Sequence, residues 1–153
     1  MSKRAAKIKL PVVTALQQAT EAASQGMNVH LKYLVMIRAS QINHCAYCID
    51  MHIKEAKLAG ETDERIYFLN AWEEAEGSYT ERERAALALT EAITLLTDGF
   101  VPDEVYERAA QHFDEAELGQ LISMITLINA WNRLNVSIRN PPTYQPSRTE
   151  EHK

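Results

Sequence analysis

Apolar residues recur at three- and four-residue intervals along almost the whole chain, and long alternating runs of β-branched residues are absent. This spacing predicts an all-α fold. A first helix is expected over Val12–Ser24, ended by Gly26, and a second over about Asn28–Ile42. A third begins at Cys45 and runs through Ile49, Ile53 and Ala56 to Gly60, a residue suited to the left-handed position that closes a helix. Thr62 opens a fourth that carries Ile66, Leu69 and Trp72 and ends before Gly77. Thr80 with Glu83 forms a capping box for a helix to about Thr97, followed by a break at Gly99. Pro102 suits the first turn of a short helix to about Gln111, and Asp114 with Glu117 marks the start of the last, to about Arg139. That last helix is apolar on most sides, which predicts burial in the domain centre, in a subunit interface, or in both. About six to seven helices result, in a single domain over residues 12–140. A flexible basic segment (1–11) is expected before it and a polar tail (141–153) after it.

A chain of 153 residues with 46% hydrophobic and 24% charged residues is large enough to bury a core of its own. Its net charge of −5 argues against a surface devoted to nucleic acid or anionic lipid. The basic cluster Lys3, Arg4, Lys7 and Lys9 reads as a solvated tail rather than a binding arm. The stretch Leu10–Leu16 is too short and interrupted for a signal peptide, and Leu118–Asn132 is too short to span a bilayer. A cytoplasmic protein without membrane contact is expected, in a compartment that keeps thiols reduced. There, two cysteines separated by two residues point to redox chemistry or metal ligation.

The chemistry concentrates in Cys45-Ala-Tyr-Cys48-Ile-Asp-Met-His52. On a helix, Cys48 lies about 60° and His52 only about 20° from the direction of Cys45, so two thiols and an imidazole share one face. A helix N-terminus favours thiolate, and a neighbouring imidazole accepts the thiol proton. Such a thiolate attacks a peroxide to give a sulfenic acid, which the second thiol condenses to a disulfide. Zinc remains an alternative, with His44 or His30 as a further ligand, although no second Cys-x-x-Cys or His-x-x-x-His is present. Structurally inert thiols are a third possibility. Glu55, three residues beyond His52, reads as a solvated acid or as an orienting partner for that ring.

At these residues the chain resembles the AhpD-like group of the carboxymuconolactone decarboxylase superfamily. The matching text is Arg38-Ala-Ser-Gln-Ile-Asn-His-Cys-Ala-Tyr-Cys-Ile-Asp-Met-His52, followed by Lys54-Glu-Ala, Ala59-Gly-Glu-Thr62 and Tyr79-Thr-Glu-Arg-Glu-Arg-Ala-Ala-Leu-Ala88. Val101-Pro-Asp-Glu104 and Asn129-Ala-Trp-Asn-Arg133 extend it, so that it spans roughly residues 12–140. The resemblance implies an AhpD-like helical bundle assembled as a homotrimer or homohexamer. It also implies a thiol-dependent peroxidase or disulfide reductase with Cys48 attacking, Cys45 resolving and His52 in a proton relay. Tyr47 occupies the slot that the family fills with His or Tyr. No cofactor is implied. An external dithiol of the dihydrolipoamide type, or a peroxiredoxin partner, is the expected reductant, and a hydroperoxide or disulfide the substrate. One position departs from the motif: Tyr33 stands twelve residues before Cys45, where the family places a glutamate. A phenol, with a reference pKa near 10, is a poor base at neutral pH. The alternative reading is a metal-binding or redox-sensing Cys-x-x-Cys module without efficient turnover.

Overall fold

The computed structural model describes residues 2–143, and every regular element among them is helical. Seven α-helices follow in order: α1 Leu10–Ser24, α2 Val29–Ile42, α3 Ala46–Leu58, α4 Asp63–Phe68, α5 Glu81–Thr94, α6 Asp103–Ala110 and α7 Glu115–Ile138. The all-α expectation holds. From residue 144 onward the expected polar tail lies outside the described residues.

The starts of these helices follow from local chemistry. Asn28, Thr62, Thr80 and Asp114 each accept a backbone N–H of the first turn, and both expected capping boxes form, Thr80 with Glu83 and Asp114 with Glu117. Gly60 adopts φ 92° just after α3, a conformation open to glycine at little cost. Two boundaries differ from the periodic pattern. The fourth helix stops at Phe68 and passes through a single 3-10 turn, Leu69–Ala71. Arg84 takes the Trp72 and Glu73 carbonyls at 2.9 and 3.0 Å, which supplies these oxygens with donors outside any helical turn. Helix α5 ends at Thr94, three residues before the expected Thr97, and leaves Leu95 and Leu96 exposed.

The central helix is α2, not the last one. Leu31, Leu34, Val35, Met36, Ile37, Ala39 and Ser40 are all buried, and α2 packs against α3, α5 and α7. In α7 the buried residues Leu118, Leu121, Ile125, Ile128 and Asn132 fall at three- and four-residue steps on one face, while Val136 is exposed. Within this chain α7 is therefore a covering helix, and only one side of it reaches the core. No helix among the described residues is long and apolar enough to cross a membrane.

Candidate active site

The segment that joins α2 to α3 is a tight turn. Asn43 caps α2 and donates its backbone N–H to the Ala39 carbonyl at 3.0 Å, and His44 then takes φ 53°. That left-handed conformation costs a non-glycine residue about 1 kcal/mol. Cys45 returns its N–H to the Ser40 carbonyl at 3.0 Å, and its sulfur caps α3 by accepting the Cys48 N–H at 3.4 Å. Cys45 and Cys48 are joined as a disulfide with 5.3 Å between their Cα atoms, and both are buried.

His52 follows one turn beyond Cys48, and only 4% of it is exposed. Its Nδ1 lies 2.9 Å from Glu55 Oε2. If that nitrogen carries the proton, as a carboxylate partner favours, Nε2 is left as the proton acceptor. The hydrogen bond with His52 holds the Glu55 carboxyl below the usual carboxylate range, outweighing the opposite effect of burial. Glu55 is thus the partner of the imidazole rather than a free surface acid. Nearby, Asp50 is drawn down to about 2 by hydrogen bonds from Lys54 and Thr143.

Tyr33, Tyr47, His52 and Glu55 line a common cavity of about 1090 Å³ between the N-terminal segment, α1, α2, α3 and α7. The structure therefore brings these four residues of α2 and α3 to one cavity, with the two sulfurs outside the lining. Tyr33, at the motif's glutamate position, packs beside Met36 and carries the Lys32 ammonium 4.4 Å above its ring. The basic segment forms another wall. Arg4 donates its backbone N–H to the Ile138 carbonyl at 2.9 Å and its guanidinium to the Ser137 carbonyl at 3.0 Å.

Among the described residues no three His, Cys, Asp or Glu side chains gather into a metal-binding group. His30 lies 3.3 Å from the buried Glu61, and His44 is exposed. Arg38 bonds Glu91 at 2.7 Å and Asn70 at 2.9 Å, a link between structural elements.

One set of contacts does not follow from helical spacing, although most of its residues fall in the stretches quoted for the family resemblance. Behind the turn, Asn43 Nδ2 donates to Asn129 Oδ1 at 2.9 Å and to Asn132 Oδ1 at 3.0 Å. Asn132 donates in turn to Ser40 Oγ, and Asn129 to Thr94 Oγ1. This buried polar cluster fixes the end of α2 against α7 just before Cys45.

Comparison with known proteins places the fold and the family. The chain is 46% identical over 114 residues to the uncharacterized protein YdfG of Bacillus subtilis (strain 168), covering 74% of this chain and 77% of that one. A crystal structure of a protein of unknown function from Agrobacterium tumefaciens, provisionally named as the antioxidant defence protein AhpD, superposes with a TM-score of 0.82 at 34% identity, over 88% of this chain and 90% of the other. The debrominase Bmp8 bound to 2,3,4-tribromopyrrole shares the fold, with a TM-score of 0.76 at 17% identity over 86% of this chain and 70% of that one. The model of the carboxymuconolactone decarboxylase family matches residues 11–92, more than half the chain. With its dithiol at disulfide distance on an AhpD-like fold, the chain belongs to the carboxymuconolactone decarboxylase family.

Proposed function

We propose that the protein is a thiol-dependent peroxidase or disulfide reductase that cycles Cys45 and Cys48 between dithiol and disulfide. The observation that carries this reading is the placement of the pair at the start of α3, one turn before an imidazole held by a carboxylate. In the reduced protein the Cys48 thiolate attacks the terminal oxygen of a hydroperoxide. An S–O bond forms, the O–O bond breaks, and the alcohol leaves with a proton relayed through His52. The Cys45 thiol then attacks the sulfenic sulfur and releases water, closing the disulfide before further oxidation.

Regeneration needs an external dithiol, of dihydrolipoamide type or presented by a peroxiredoxin partner. Its thiolate attacks the Cys48 sulfur and expels Cys45. The Cys48 N–H directed at Cys45 Sγ, at the positive end of α3, makes Cys45 the better leaving group. Its second thiol then frees Cys48. Glu55 supplies the carboxylate that the relay lacks at Tyr33, and Tyr47 shapes the cavity wall beside the pair. The reading includes assembly as a homotrimer or homohexamer, which the exposed apolar residues Leu10 and Val12 of α1 and Val136 of α7 support.

The test is a thiol titration before and after stoichiometric hydrogen peroxide. The wild type is expected to lose both thiols to one intramolecular disulfide, and Cys45→Ser to stop at a trappable sulfenic acid. Cys48→Ser should leave the peroxide intact; consumption at the wild-type rate would defeat the mechanism.

A further inference from the structure

The cavity beside His52 carries a charge bias opposite to that of the protein. The chain has a net charge of −5, yet the cavity is lined by four cationic side chains, Lys3, Arg4, Lys7 and Lys32, against the two carboxylates Glu21 and Glu55. Both carboxylates are engaged. Glu55 is bound to His52, and Glu21 accepts from Gln17 Nε2 at 3.2 Å. Arg4 is committed to the Ser137 carbonyl. Lys3, Lys7 and Lys32 enter none of the ion pairs among the described residues. Lys32 lies over the Tyr33 ring and acts on Glu55, so the lining keeps an excess of cations over carboxylates that Lys3 and Lys7 carry. The rest of the lining is largely apolar, with Ile8, Met36, Met51, Trp131, Leu134 and Ile138 among its walls. A volume of about 1090 Å³ is ample for a small-molecule site, and methionine walls adapt to a flexible chain.

We propose that this cavity binds an amphiphilic anion, a carboxylate on an apolar chain, and that the substrate reduced at the dithiol is a fatty-acid hydroperoxide. The second half rests on the function proposed above. The apolar chain is covered by the methionines, Trp131 and Ile138, and the carboxylate is held by the lysines of the N-terminal segment and α2. Reduction converts R–OOH to R–OH while the Cys48 thiolate becomes a sulfenic acid, with one proton taken up at the departing oxygen. Condensation with Cys45 releases water, and an external dithiol supplies the two electrons that complete the cycle.

The site is tested on the full-length protein with decanoate and decanol, titrated by calorimetry and by tryptophan emission. Decanoate is expected to bind about tenfold or more tightly than decanol at low salt, an electrostatic preference worth about 1.4 kcal/mol. The preference should collapse in a Lys3→Gln/Lys7→Gln/Lys32→Gln triple variant that keeps wild-type helicity, and the emission change should vanish in Trp131→Phe. In turnover, linoleate hydroperoxide should show kcat/KM about tenfold above its methyl ester, by the same carboxylate preference. Equal affinity for decanoate and decanol, or a preference that survives loss of all three lysines, overturns the site. Decanoate binding without peroxide consumption supports the site and removes the peroxidase reading. Peroxide consumption without a carboxylate preference does the reverse.

Discussion

At the scale of single residues, the site turns on how an imidazole is held. Cys45, Cys48 and His52 are three and seven residues apart, so helical periodicity alone brings them to one face, and the sequence reveals them together. Glu55 is different. Its spacing from His52 permits a contact, but whether a half-exposed carboxylate turns to the ring or to solvent depends on the surrounding cavity wall. In the structure it turns to the ring. Glu55→Gln retains a hydrogen-bond acceptor for the ring but removes the negative charge beside it. We expect it to slow peroxide-driven loss of thiols by about tenfold or more, measured by stopped-flow with far-UV dichroism as a control for folding. An unchanged rate would take Glu55 out of the relay. The same reasoning separates His44 from its neighbours: the sequence shows a histidine before the dithiol, and only the backbone shows that it sits at positive φ.

At the scale of helices, what was legible was local. Both capping boxes involve residues three apart, and most helix boundaries follow from such signals within one turn of the chain. The periodic pattern overextends the fourth helix because side chains distant in sequence take the carbonyls that a longer helix would use, Tyr79 that of Arg65 and Arg84 those of Trp72 and Glu73. The identity of the central helix was hidden for a related reason. Helix α7 is richer in large aliphatics, but α2 is the one that packs on α3, α5 and α7 at once. The asparagine cluster between α2 and α7 joins residues 86 and 89 positions apart, and no periodicity reveals which polar positions of two helices will meet. Asn132 is fully buried in that cluster. Replacing it with Ala removes its hydrogen bonds with Ser40 Oγ and Asn43 Nδ2 and opens a cavity between α2 and α7, and we expect a loss of about 2–3 kcal/mol in urea unfolding. A cost below about 0.5 kcal/mol, the range of a neutral surface change, would show that the cluster relaxes without it.

At the scale of the whole molecule, an ionic network ties the start of α2 to α4 and α5. Arg65 bonds Glu61 at 2.9 Å and Glu83 at 2.6 Å, His30 approaches Glu61, and the Tyr79 hydroxyl donates to the Arg65 carbonyl. Burial pushes the Glu83 carboxyl up, but the bonds from Arg65 and Thr80 pull it further down, so it stays below the usual carboxylate range. A carboxyl depressed in the folded state stabilises the fold above its unfolded value, near 4.3, and this contribution is lost as pH falls through the folded value. Glu83 has 14% of its side chain exposed, so screening is modest. Glu83→Gln is therefore expected to cost about 2 kcal/mol at pH 7, with the gap to wild type shrinking at about pH 3. Urea unfolding at the two pH values checks this, and a gap independent of pH would assign the cost to packing alone.

The segments that flank the bundle have a practical consequence. Arg4 is fastened to the end of α7 on the cavity wall, and Thr143 is fastened to Asp50 and Lys54 on α3, the helix that carries Cys48 and His52. A purification tag or fusion partner joined before the N-terminal segment acts on a wall of the cavity beside His52 rather than on a remote surface. An appended oligohistidine would add titratable rings beside a site whose own imidazole is under study. Rates and affinities are comparable only between proteins that share the same termini, and a tag-free form is the proper reference.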